Sequence, residues 1–165
     1  MSVFFISDTG HGPQKLGGFD WYASKGLDRL KDLAVAALKQ YQPGKVFSGM
    51  MPGWDTGLAL GALELNIPLV AAVAYKDLDQ HWPPKQQKVY RSILDQAEEI
   101  VVINEGLESY SDFYDRNTWM LEWSNLILAL WDGKNGYTYK FIKLAQAKKI
   151  QVVNLWRSWK KYSGV

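Results

Sequence analysis

Short apolar runs alternate along the chain with longer stretches in which apolar positions recur every three or four residues. The runs lie at 3–7, 45–48, 69–74, 100–103, 126–130 and 150–154, the second preceded by Pro43-Gly44 and the third by Pro68. Continuous apolar runs of this length, bounded by turn signals, predict strands buried on both faces of a parallel sheet. Helical spacing predicts helices over 22–41, 56–65, 86–97, 112–123 and 137–148. In the first of these, Leu27, Leu30, Leu33, Ala34, Ala37 and Leu38 make one apolar face. In the second, Gly57 and Gly61 are expected to let the helix pack closely on the sheet.

Strand–helix alternation predicts an α/β fold, a Rossmann-like parallel sheet of about six or seven strands with helices on both faces and right-handed crossovers. No internal repeat or low-complexity linker interrupts it, so 1–165 is expected to form one domain with a basic, aromatic segment, 156–165, appended. The longest irregular stretches, 8–20 and 75–85, each follow a predicted strand. They therefore belong at the carboxyl-end edge, where open α/β sheets bind ligands.

Composition narrows the functions available. Hydrophobic residues make up 47% of the chain and charged residues 22%, which is the balance of a globular domain. Eight Trp and nine Tyr can fill a core or line a pocket for a flat ligand. A net charge of +2 does not announce a nucleic-acid binder. With no cysteine there is no disulfide, thiolate nucleophile or Cys-ligated zinc, and two His far apart in sequence argue against a His-based metal site. The first residues lack a basic segment and turn polar after six, which is not the pattern of a signal peptide or membrane span, and a cytoplasmic location is expected.

Four predicted strand–helix junctions stand out, three of them combining glycines with polar groups. In 8–18, Gly10, Gly12, Gly17 and Gly18 accompany His11 and Lys15; glycines let backbone N–H groups approach an anion that Lys15 could neutralise, although the Walker A spacing is absent. In 48–55, Gly49, Met50 and Gly53 precede Asp55, which is placed as a helix N-cap; beyond capping, its carboxylate suits a ribose hydroxyl better than a phosphate. In 115–124, Arg116 and Asn117 precede Trp119, Met120 and Trp123; Arg116 offers a planar fork for phosphate or forms a surface ion pair, while Trp119 and Met120 read as core. In 131–138, Asp132, Gly133, Asn135, Gly136 and Thr138 lead into a helix; Asn135 and Thr138 could donate to phosphate oxygens and Asp132 accept from a sugar. All four are expected on one edge of the sheet, converging on one cleft.

Taken in order, Gly10-His-Gly-Pro-Gln-Lys-Leu-Gly-Gly18, Ser48-Gly-Met…Gly53-Trp-Asp55, Arg116-Asn117…Trp119-Met120…Ser124 and Ala129-Leu-Trp-Asp-Gly133 resemble the YspA-like branch of the SLOG superfamily. That superfamily also holds the DNA-processing protein A (Smf) domain and the LOG phosphoribohydrolases. The likeness runs from about residue 3 to 155 and takes in the Gln80…Trp82 loop and the Tyr90…Ile93-Leu94 helix. It implies a Rossmann-like fold and a nucleotide or nucleotide-derived ligand. In LOG enzymes an Arg motif and a Pro-Gly-Gly-x-Gly-Thr-x-x-Glu motif serve N-glycosidic cleavage. Arg116 matches the first. In the second, Tyr139 or Lys140 stands where the acid would be, leaving Glu122, Asp55 and Asp132 as candidate acids.

Three functions follow as expectations. The first is a sensor or carrier that binds a small-molecule nucleotide, with no cofactor required. The second is a hydrolase of a nucleotide's N-glycosidic bond, with Arg116, Glu122 and Asp55 as catalytic candidates. The third is a single-stranded nucleic-acid module using the tail 148–165, whose five basic residues interleave with Trp156, Trp159 and Tyr162. The competing reading of that tail is a segment packed on its own sheet or on a second subunit. The aromatic face over 113–123 points to a homo-oligomer.

Overall fold

The computed structural model describes residues 4–104 and 110–163. Six parallel strands form a single sheet: β1 (Phe5–Gly10), β2 (Lys45–Ser48), β3 (Leu69–Tyr75), β4 (Glu99–Asn104), β5 (Leu126–Leu130) and β6 (Gln151–Asn154), in the order β4-β3-β2-β1-β5-β6. The predicted runs are all present. β1 begins and ends later than expected, continuing through Asp8 and Thr9 to Gly10, because its polar residues pair with β5 from Ile6↔Leu126 to Gly10↔Leu130. Val3, the expected start of that strand, and the last two residues of the tail lie outside the described residues.

The chain enters the main helices through a short turn, α1 (Phe19–Trp21), and a π-helical turn, Tyr22–Gly26, that runs directly into α2 (Leu27–Tyr41). Then come α3 (Trp54–Glu64), α4 (Pro84–Gln96), α5 (Tyr110–Trp123), α6 (Tyr137–Ala147) and α7 (Trp156–Ser163). α2 stops at Gln42, which turns left-handed at φ 48° ahead of Pro43. α4 opens with Pro84 in its first turn, where a missing N–H costs nothing.

Alternation along each strand divides the core. Leu69, Ala71 and Val73 join Ile6, Val46 and Leu128 under α2, α3, α4 and α7, while Val70 and Ala72 face Phe47, Trp119 and Met120 from α5. Ile127 meets Phe141 and Ala145 of α6 on that second face. Because both faces are covered, the strands read as unbroken apolar runs rather than alternating ones.

Two local expectations change. Gly57 and Gly61 face α2 rather than the sheet: a Cβ on Gly57 would lie 2.6 Å from Leu30 Cβ, and one on Gly61 2.8 Å from Ala34 Cβ. The terminal segment is also no appendage. Trp159 is 1% exposed inside the main core and meets Trp21 edge-to-face at 5.8 Å, while Arg29 on α2 donates to the Tyr162 carbonyl at 2.7 Å.

Candidate functional site

The strand order sets where a ligand can enter. From β1 the chain winds outward through β2, β3 and β4, then returns to the other side of β1 as β5 and continues to β6. The loops leaving β1 and β5 thus diverge, and a crevice opens between them at the carboxyl ends. A cavity of about 780 Å³ lies there. Its walls are the loop from Gly10 to Lys15 after β1 and Lys134, Gly136, Tyr137 and Thr138 after β5. Met51 and Pro52 come from the β2–α3 loop, His81 and Trp82 from the β3–α4 loop, and Phe113, Asn117 and Met120 from α5. That volume falls in the range of small-molecule sites.

The floor is a charged cluster. Asp8, Asp55 and Arg116 all line the cavity and are 2%, 6% and 7% exposed. Asp8 Oδ1 accepts from the Gly49 N–H at 3.0 Å, whereas Asp8 Oδ2, equally buried, has no hydrogen-bond partner among the described residues. Arg116 Nη1 donates to the Gly49 carbonyl at 2.8 Å, and its Nε and Nη2 donate to Asn117 Oδ1 at 3.2 and 2.9 Å. Asp55 Oδ2 accepts from the Met51 N–H at 3.3 Å. Gly49 is small by necessity, since a Cβ there would lie 2.9 Å from both Arg116 Cζ and Asp55 Oδ2.

Burial, and then the neighbouring Asp55, push the Asp8 carboxyl well above its ordinary range. Burial also raises Asp55, against the pull of Arg116. Two carboxyls in one dry corner with one guanidinium do not both ionise readily, so burial and their mutual repulsion favour keeping a proton on the pair.

Above this floor the β1 loop is tied to the β5 loop. His11 Nε2 accepts from the Asp132 N–H at 2.9 Å and lies 2.9 Å from Asp132 Oδ1. Burial holds the imidazole below its ordinary pKa, which favours the neutral ring with Nε2 as acceptor. Lys15 Nζ lies 3.7 Å from Asp132 Oδ2. Gly136 caps α6 at φ 153° with no side-chain cap, which leaves the first N–H groups of that helix beside the cavity.

A second network holds the β2–α3 loop from behind. Tyr22 Oη accepts from the Gly53 N–H at 3.1 Å and donates to Gln86 Oε1 at 2.9 Å, and Gln86 Nε2 donates to Thr56 Oγ1 at 3.2 Å. Gly53 itself, at φ 101°, sits so close to the β1 loop that a Cβ would come within 2.3 Å of the His11 carbonyl. Trp54 fills the space left by the absent side chain of Gly10 and donates from Nε1 to the Leu128 carbonyl at 2.9 Å.

Of the residues expected at the site, Gly10, His11, Lys15, Asp55, Arg116, Asn117, Gly136 and Thr138 line the cavity. Gly17, Gly18, Gly49, Met50, Gly53, Asp132 and Gly133 do not. Gly17 and Gly18 shape the turn into α1, Met50 is buried in the core at φ 65°, and Gly49, Gly53 and Asp132 support residues that do reach it. Asp55 is not an N-cap: α3 starts one residue earlier, after Gly53, which turns the Asp55 side chain toward Gly49 and Arg116.

The segment 115–124 is not a strand-to-helix junction either. It is the body and end of α5, which arrives at the amino-end edge, where Asn125 N–H donates to the Phe5 carbonyl. Arg116, Asn117 and Met120 still reach the cavity, whereas Glu122 is exposed toward the opposite edge and does not line it. Asp8, Phe113, Lys134 and Tyr137 were not singled out by the sequence; an acid directly after an apolar run was the signal available for Asp8.

Among described residues, no helix is long and apolar enough to cross a membrane. No curated protein matches the chain in sequence. Among solved structures, the X-ray structure of DNA processing protein A (DprA) from Streptococcus pneumoniae is similar, with a TM-score of 0.62 at 14% identity. The match covers 92% of this chain and 50% of that one, so the chain spans half the length of that protein and shares its fold. The model of the YspA SLOG family matches residues 62–156, from the end of α3 through β6 to the start of α7, more than half of the sequence. With this sheet order and a cleft between β1 and β5, the chain belongs to the YspA SLOG family.

Proposed function

We propose that the chain binds a nucleotide or nucleotide-derived small molecule in the cleft between β1 and β5, as a sensor or carrier. The observation that carries this reading is the cavity's division into a carboxyl floor, Asp8 and Asp55, and a cationic rim, Lys15, Lys134 and the α6 N-terminus, with Phe113, Trp82 and Tyr137 on its walls. Sugar hydroxyls suit the first, phosphate the second, and a flat base the third. Membership of the SLOG family supports the same class of ligand. Calorimetric titration of the full chain with a panel of nucleoside mono- and diphosphates and ADP-ribose tests it. Saturable 1:1 binding to at least one member is expected, weakened severalfold by the surface double variant Lys15→Ala/Lys134→Ala. Absence of binding across the panel refutes it.

A hydrolytic reading has one specific observation in its favour: two carboxyls, both pushed upward by burial, line the same cavity as a guanidinium. A protonated acid can assist departure of a base while a carboxylate faces the sugar. Release of free base from nucleoside monophosphates, followed by chromatography, decides between carrier and hydrolase. The nucleic-acid reading keeps the five basic residues and the 44% exposed Tyr162 of the tail but loses one stacking surface, since Trp159 is core. Self-association is supported by Tyr114 and Trp123, which remain half-exposed on α5.

A further inference from the structure

The floor and the rim of the cavity differ in kind, and the difference bears on which way round a ligand lies. Arg116 is the strongest cation at the site, yet its donors already serve Gly49 and Asn117, and two carboxyls stand beside it. A phosphate there would displace internal bonds and meet a like charge. Asp8 Oδ2 is instead a buried oxygen that lacks a donor, in a residue that lines the cavity. A buried polar atom left unmatched is costly unless something pairs with it. The N-terminus of α6 and the Lys134 ammonium lie across the cavity after β5, on the side that favours an anion.

We propose, building on the nucleotide reading above, that the ligand carries a ribose whose vicinal hydroxyls bridge the Asp8–Asp55 carboxyl pair, with its phosphate turned outward to the α6 N-terminus and Lys134. Asp8 is then the residue that distinguishes ribonucleotides from deoxyribonucleotides. A ribose hydroxyl, which can both donate and accept, satisfies Asp8 Oδ2, and a carboxylate within the pair strengthens the contact. The anionic end stays clear of both carboxyls. The sequence pointed to Asp55 for this role; the structure gives one Asp55 oxygen a backbone donor and leaves the unmatched oxygen on Asp8.

The test is calorimetry on the full chain with the four common ribonucleoside monophosphates, their 2′-deoxy and 3′-deoxy counterparts, and the parent nucleosides. A bound ribonucleotide is expected to bind about tenfold or more tightly than either deoxy form, the effect of losing one charge-assisted hydrogen bond. In Asp8→Asn that gap shrinks to threefold or less. Lys134→Glu weakens the nucleotide but not the parent nucleoside. Equal binding of ribo and deoxy forms by the wild type overturns the proposal while leaving nucleotide binding intact. So does a gap that survives both Asp8→Asn and Asp55→Asn, the second variant serving if the first does not melt cooperatively. A nucleoside that weakens along with its nucleotide in Lys134→Glu overturns the orientation. If no panel member binds, the nucleotide reading itself falls.

Discussion

Asp8 shows how one side chain ties stability to function. Burial and Asp55 raise its carboxyl in the folded chain above the ordinary value of 3.8, so folding retains a proton that the unfolded chain releases. Where the folded state binds more protons, stability falls as pH rises. It is therefore highest below pH 3.8 as far as this group is concerned, and is lost progressively up to the folded pKa. Asp8→Asn keeps the acceptor for Gly49 and removes the titration. It is expected to melt higher than the wild type at neutral pH, by about 1.4 kcal/mol for each unit of the raised pKa, and to lose that advantage in acid. Thermal melts across pH read both limbs; a variant less stable than the wild type at pH 7 contradicts the retained proton. The molecule thus keeps a costly carboxyl in its cavity, as binding sites commonly do.

At the scale of elements, the cleft depends on pieces far from it. α7 closes the core under α2, and its first residue, Trp156, meets the His11 ring edge-on at 5.7 Å. Trp159→Ala removes a fully buried side chain and is expected to destabilise the chain by about 3–5 kcal/mol, measured by urea unfolding. An appended tail would have cost under 1 kcal/mol for the same change, so the two readings separate cleanly. α5 behaves differently along its length. Its start follows β4 and brings Phe113, Arg116 and Asn117 to the cavity, while its end carries Glu122 and Trp123 to the other edge. Helical periodicity places residues on a face, but which end of the sheet they occupy follows from the direction in which the helix crosses it.

For the whole molecule, the sheet order opens one cleft, and the remaining surface bears on the proposal of a second copy. Ile100 and Val102 on the edge strand β4 are 48% and 39% exposed, and Tyr114 and Trp123 on α5 are 55% and 51% exposed. Exposed edges and apolar residues of this kind are usually covered. The chain is expected to run above the mass of one copy in light scattering, and Trp123→Asp to lower that mass without lowering the melting temperature. A monomeric wild type would leave those residues as ordinary surface.

The fold was legible in the chain because a parallel sheet covered on both faces forces apolar runs, and the helices between them must bury one stripe each. The predicted runs at 45–48 and 126–130 coincide with β2 and β5. That the loops after β1 and β5 would line a cavity was legible for a related reason: glycines and helix starts mark where backbone leaves room at the strand ends. What only the tertiary structure decided was which polar groups meet. Asp8 read only as the start of the loop after the first strand, because nothing local shows that Asp55 and Arg116, 47 and 108 positions away, will share its buried corner. Glu122 read as a candidate acid, because periodicity carries no record of which edge of the sheet a helix end will reach. Burial, and the raised pKa it gives the Asp8 carboxyl, arise from packing between segments distant in sequence, and no window along the chain contains them.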